Sequence, residues 1–181
     1  MRSFFSLKGV FTTKNLAVMA MMVALTMVLS PITTFFIPHR ITFAYLPGII
    51  VAMLYGPWAA VLFGFVSDFA GYIVFPTGPY HPGFAISDSV HYFIFACFLY
   101  GRKFSVRQYL WRITIARLLV TGIILYALDF VWLSHLFGST VATFFTSTRA
   151  ISHLGLLPVH VGMMLALTKV THEVAHRRGV A

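Results

Sequence analysis

The stretch RITFAYLPGIIVAMLYGPWAAVLFGFVSDF, Arg40 to Phe69, holds two apolar runs parted only by Tyr55, Gly56 and Pro57. Pro57 fixes φ and donates no backbone hydrogen bond, and Gly56 reaches backbone angles closed to other residues. The two runs therefore read as helices joined by a tight hairpin. Neither run alternates apolar with polar residues, as a membrane barrel strand would. In hydrocarbon every backbone polar group must be satisfied within its own segment, so continuous apolar runs imply helices.

The rest of the chain has the same character. Of 181 residues, 59% are hydrophobic and 9% charged, with mean hydropathy +0.88. Soluble domains carry roughly 25% charged residues, and a soluble fold of this length has too little interior to hide so much apolar surface. The fold class expected is an all-α integral membrane protein, one domain over residues 1–181. Six transmembrane helices are drawn at about 13–31, 41–55, 57–76, 83–101, 110–135 and 147–170. The second is short for a ~30 Å hydrocarbon core, so it is tilted, broken or sheltered by protein. The N-terminal basic and apolar pattern lacks a small-residue cleavage site and reads as a retained first helix. Pro158 is expected to kink the last helix near His160.

Charge sets the orientation. Arg2, Lys8 and Lys14 precede the first span; Arg102, Lys103, Arg107 and Arg112 lie between the fourth and fifth; Lys169, Arg177 and Arg178 follow the sixth. With six spans these groups fall on one side, which the positive-inside rule makes cytoplasmic. Both termini are then inside. The net charge of +9 reads as topology and attraction to anionic lipid, without nucleic acid as a partner. Arg117, about two turns inside the fifth span, reads as a snorkelling side chain.

Three of the four acids, Asp68, Asp88 and Asp129, lie within spans. Ionisable residues there are costly and point to function. At ~1.5 Å per residue, Asp68 lies roughly 17 Å and Asp129 roughly 27 Å up from the cytoplasmic side, and Asp88 roughly 8 Å below the outer one. Arg40 and Arg149 belong to the same outer side, so five charges can converge on an outward-facing cavity. Ala60, Gly64 and Asp68 share one helix face; Phe84, Asp88, His91 and Phe95 another; Arg149, His153, Leu156 and His160 a third. Each group also has a plain structural reading: a hydrogen bond to a neighbouring helix for the acids, an interfacial anchor for Arg149, helix packing for His153 and His160.

Between the third and fourth spans, on the outer face, lies FPTGPYHPGF, Phe75 to Phe84. Its prolines and glycines give a rigid loop that holds Tyr80, His81 and Phe84 near Asp88. Other chemistry is missing from the sequence. There is no P-loop, no zinc-enzyme helix motif and no nucleophile elbow. The single cysteine, Cys97, excludes an internal disulfide. No cofactor or metal is expected, nor enzymatic activity. An outward polar pocket with no energy source reads as a binding subunit that needs a partner. In the first span Ala20 and Ala24 form a small-residue pair that lets another helix approach closely.

Together these residues resemble the substrate-binding (S) components of energy-coupling-factor (ECF) vitamin transporters, and the folate type among them. The resemblance rests on size, on the Arg40 to Phe69 stretch ending its first run in Gly-Pro, on the loop FPTGPYHPGF, on LDFVWLSHLFG with Asp129 before Trp132, and on Ala20 and Ala24. It implies a multi-pass protein of a prokaryotic cell membrane that binds folate outside and releases it inward. It also implies a membrane scaffold subunit, contacted through Ala20 and Ala24, and two cytoplasmic ATPases. Chemistry suits folate. Asp88 or Asp129 can accept from the pterin amino edge; Tyr80, Phe84 and Trp132 can stack on its rings; Arg40 and Arg149, helped by His153, can pair the glutamate carboxylates. Gly78, Pro79, His81, Pro82 and Gly83 would form the gating loop over the pocket. Pantothenate is the alternative vitamin, though it would leave the acids and aromatics without partners. A small channel or membrane-embedded enzyme using Asp68 and Asp88 is the alternative of another class.

Overall fold

The computed structural model describes residues 11–31, 33–36, 39–76, 79–100 and 105–177. Gly78, and the basic residues Arg2, Lys8, Arg102, Lys103 and Arg178 used for orientation, lie outside the described residues, as does the side chain of Arg40.

The described residues are helical apart from one short ribbon and the connecting turns. α1 (Thr13–Leu29) is followed by β1 (Thr33–Phe36) and β2 (His39–Thr42), then α2 (Leu46–Tyr55), α3 (Pro57–Val74), α4 (Pro82–Leu99) and α5 (Val106–Val120). A π-helical segment (Thr121–Asp129) runs on into α6 (Phe130–Phe137), and α7 (Ser139–Gly155) and α8 (Leu157–Arg177) complete the order. The strands pair antiparallel, with Phe35 opposite Arg40. The ribbon takes residues assigned above to the second span, so α2 starts at Leu46, not 41. Its β-branched threonines and Ile41 favour extended backbone.

The hairpin at Gly56 forms as its sequence implies. Gly56 has φ +89° and Pro57 opens α3. A side chain at Gly56 would be strained by that φ and would crowd the Tyr100 ring. Gly138, with φ +85°, turns the chain between α6 and α7. α7 therefore begins at Ser139, eight residues before the expected start of the last span. Its first turns, STVATFFTST, look like a polar loop. They are helical all the same, and Thr143 and Thr148 pair their hydroxyls within the helix by donating to the carbonyls of Ser139 and Phe144.

Among the described residues three helices are long and apolar enough to cross a membrane: α3, α4 and the continuous run Val106–Phe137. α7 and α8 pass the same test as a pair, bent by 59° at a break. The bend falls at Leu156, two residues before Pro158, whose missing N–H ends the preceding hydrogen-bond ladder. α1 and α2 are shorter apolar helices of 17 and 10 residues.

α2 and α4 form the middle of the molecule. On one side they pack with α5 and α8 around Ile49, Phe95, Leu99, Ile113 and Met164. On the other they pack with α1 and α3 around Val51, Ala52, Ala59, Ala60 and Phe63. α3 and α4 touch most extensively, and Gly64 permits it. A Cβ there would lie 2.7 Å from the Asp88 carbonyl oxygen and from Ser89 Cα. Ser89 closes the same contact by donating its hydroxyl to the Val61 carbonyl at 3.1 Å. In α1, Met19 and Thr26 face inward while Ala20 and Ala24 face out.

Candidate functional site

One end of the bundle is built around the start of α4. His81 caps this helix, its Nδ1 accepting from the Gly83 N–H at 3.1 Å. Its ring lies over Trp132 of α6, centroids 5.1 Å apart and planes at 30°. Gly83 is in the first turn of α4, where a Cβ would overlap the Trp132 indole. Phe84 meets His81 edge-on at 6.2 Å. Tyr80 turns the other way, to α3. It donates to Asp68 Oδ2 at 3.4 Å and rests against Tyr72 at 4.7 Å. Desolvation, with the Asp68 carboxylate beside it, holds the Tyr80 phenol above its ordinary pKa, so it stays a donor.

One turn of chain before Trp132 lies Asp129, buried at the end of the π-helical segment. Its Oδ2 is 3.6 Å from Arg149 Nη1 of α7. That arginine side chain is 48% exposed while the aspartate's is 12% exposed, so the pair spans a mouth and an interior. Ser87 of α4 borders Asp129, and Asp68, Asp88 and Asp129 lie within electrostatic reach of one another. Three acids and Arg149 are thus brought to one end.

Deeper in the bundle is a cationic pole. Arg117 of α5 is 2% exposed. Its Nη2 is 2.9 Å from His153 Nδ1 on α7, and its guanidinium carbon is 5.4 Å from the centre of the Tyr45 ring. His153 stacks on His160 of α8 at 6.3 Å, and His160 meets Tyr45 edge-on at 5.4 Å. His91 of α4 lies within electrostatic reach of Arg117 and His153. Arg117 is therefore not a snorkelling residue. It points into the protein, where no carboxylate among the described residues comes within ion-pair distance.

Seven buried polar side-chain atoms have no hydrogen-bond partner among the described residues: Ser87 Oγ, His91 Nε2, Arg117 Nε, Asp129 Oδ1, Trp132 Nε1, Thr146 Oγ1 and His160 Nδ1. They come from α4, α5, the π-helical segment, α6, α7 and α8, and none from α3. A buried group left unpaired costs about 1–3 kcal/mol, and native structures tolerate only a few. These seven atoms, donors and acceptors mixed, are groups that a polar ligand or water can pair.

The sequence profile described as "ECF transporter, substrate-specific component" matches residues 14–173. The chain belongs to this family. It is similar to the protein named folate transporter FolT of Clostridium novyi strain NT, 30% identical over 164 residues, which are 90% of this chain and 92% of the relative. It is also similar to the folate transporter FolT of Leuconostoc mesenteroides subsp. mesenteroides, 27% identical over 83% of this chain and 82% of the relative. Among solved structures it resembles a crystal structure of FolT bound with folic acid, with TM-score 0.72 and 28% identity, covering 87% of this chain and 92% of the other. The family is a substrate-binding component of a membrane transporter, not an enzyme.

Of the residues expected at the site, Asp88, Asp129, Trp132, Arg149 and His153 border the unpaired groups, Phe84 sits beside them through His81, and Tyr80 is held on α3. Pro79 and Pro82 lie in the loop and the first position of α4. Arg117, Ser87 and Thr146 belong to the set although sequence reasoning put none of them there; His91 and His160, which it placed on shared helix faces, belong to it too. Thr146 is three residues before Arg149 and His160 seven after His153, so helical spacing from the two expected residues reaches both.

Proposed function

We propose that this chain is the folate-binding S subunit of an ECF importer. The observation that carries the reading is the set of buried, unpaired polar atoms running from Asp129 to Arg117, bordered by aromatic rings. A ligand that fills it must offer donors and acceptors, a flat apolar body and an anionic end. Folate does so through its pterin, its aminobenzoyl ring and its glutamate. The names of the similar transporters agree.

The glutamate, with two carboxylates, is the costliest part to desolvate. It belongs at the mouth, where half-exposed Arg149 exchanges Asp129 for a ligand carboxylate. The pterin belongs inside. Asp88 and Asp129 accept from its amino edge, Arg117 and the histidines donate to its ring acceptors, and Trp132, His81 and Phe84 cover its faces. A carboxylate beneath a neutral amino edge and a guanidinium beside a carbonyl are both charge-assisted bonds, which are short and strong. Residues 79–83 form the lid, and their stiffness limits the ordering lost on binding.

The full chain crosses the cell membrane six times as one domain. α1 and α2 are the two short spans, and both termini face the cytoplasm. Ala20 and Ala24 face outward on α1, and this smooth strip docks the transmembrane scaffold subunit. Two cytoplasmic ATPases supply the energy, since the chain carries no nucleotide motif of its own.

Calorimetry on the purified protein in detergent tests the reading, with quenching of Trp132 fluorescence as a second readout. Folate is expected to bind with quenching and pantothenate to do neither. Pantothenate binding with no folate binding at micromolar protein overturns the assignment.

A further inference from the structure

The segment that enters α4 is tied down at two consecutive residues, to two different helices. Tyr80 belongs to α3. Its hydroxyl donates to Asp68 Oδ2 at 3.4 Å, its ring tilts against Tyr72 at 4.7 Å, and Phe69 meets it edge-on at 6.2 Å. His81 belongs to α6, lying over Trp132. The backbone between them bridges the outer end of the bundle.

Asp68 explains why the first tie matters. A carboxylate on a membrane helix is costly unless held, and Tyr80 is its hydrogen-bond partner among the described residues. The unpaired polar atoms described above come from six other helical elements and none from α3. Tyr80 is therefore fastened to a helix that contributes none of the unpaired atoms. Its hydroxyl on Asp68 and its ring contacts with Tyr72 and Phe69 turn it toward α3 and away from the unpaired atoms' helices.

We propose that Asp68 and Tyr80 form a latch that sets how fast the pocket opens and closes, Asp68 acting as a positioning residue through Tyr80 and neither touching the ligand. The proposal rests on the folate reading above. While latched, the segment is held on both sides of the bundle. When the hydroxyl leaves Asp68, the segment hangs from His81 alone and can swing off the mouth. Breaking the latch speeds passage in both directions and so leaves the equilibrium nearly unchanged.

Stopped-flow quenching of the purified full chain by folate tests this. Tyr80→Phe keeps the ring and removes only the hydroxyl. Association and dissociation should both rise by roughly tenfold, as expected for losing one hydrogen bond to a charged group, with Kd shifted less than about threefold. Asp68→Ala should match it, Asp68→Asn, which keeps an acceptor, should fall between, and the double variant Tyr80→Phe with Asp68→Ala should be no faster than either single one. Faster dissociation alone, with Kd weakened in proportion and Asp68→Ala silent, would make Tyr80 a ligand contact and overturn the latch. Unchanged rates in all variants would overturn it too. If the wild-type chain binds no folate, the folate reading fails separately, and hydrogen exchange of residues 79–83 decides the latch. Exchange should quicken in Tyr80→Phe and Asp68→Ala, and equal exchange refutes it.

Discussion

Replacing Arg117 by methionine separates a structural cation from a ligand anchor. Arg117 is almost fully buried, its Nε is unpaired, and its polar contact is to a histidine. An uncompensated buried charge costs several kcal/mol. Methionine matches the length of the stem and fills irregular space without a charge. The free protein should therefore melt no lower in Arg117→Met than in wild type, even with His153 Nδ1 losing its partner. Ligand binding should suffer. A hydrogen bond to a charged group contributes about 1.5–3 kcal/mol, so folate should bind roughly ten- to hundredfold more weakly. The two effects meet in one assay, thermal unfolding in detergent with and without folate. At a hundredfold excess over the wild-type Kd, ligand adds about 2.7 kcal/mol to wild type; for a variant binding a hundredfold more weakly it adds only about 0.4 kcal/mol. Calorimetry then gives the Kd directly. A variant that melts markedly lower without ligand and binds folate like wild type would refute the reasoning and make Arg117 a packing residue.

Two further substitutions test the fold and the mouth. Gly64→Ala places a Cβ 2.7 Å from backbone atoms of α4, about 0.7 Å short of ordinary contact at 3.4 Å. α3 and α4 must part, at about 1–3 kcal/mol, and a lower melting temperature should follow. Gly162→Ala, with nothing within 4 Å of the new atom, is the control and should be neutral or gain up to about 1 kcal/mol from helix propensity; equal melting of the two would refute the close approach of α3 and α4. Arg149→Ala should weaken folate more than pteroate, which lacks the glutamate, whereas Arg117→Met should weaken both alike. Equal losses of the two ligands in Arg149→Ala would remove Arg149 from the glutamate end.

How much of this was legible in the sequence depends on what lipid does to the code. The hairpin at Gly56 was readable because backbone chemistry is local: a proline and a glycine mean the same thing in any solvent. The convergence of Asp129 and Arg149 was readable because depth is a count of residues from a span's end. Helix starts were less readable. Ser139 to Thr148 looks like loop by composition, yet it is helix, and two of its hydroxyls find acceptors on the preceding turn that composition does not show. The side each residue faces was least readable, and Arg117 shows why. In α5 and the π-helical segment, Ile113, Arg117, Val120 and Ile124 are buried, while Trp111, Ile115, Leu118 and Ile123 are exposed. Both stripes are apolar but for the arginine. In water the polar face of a helix points outward and marks the core by contrast; in hydrocarbon both faces are greasy and the contrast vanishes. An arginine near the cytoplasmic end then has two destinations, the headgroups or the interior, and composition favours neither. Its spacing does favour one. Arg117 sits four residues after Ile113 and three before Val120, on the stripe that continues to Thr121 and Ile124, and the Thr121 hydroxyl donates to the Arg117 carbonyl at 2.9 Å. A charge on the stripe that carries the buried residues cannot snorkel without turning the helix, and turning it would bury Trp111 and Leu118 in place of Ile113 and Val120. The packing of α5 against α4 and α8 thus fixes the arginine inside, and a cation fixed inside without a carboxylate partner needs something brought to it.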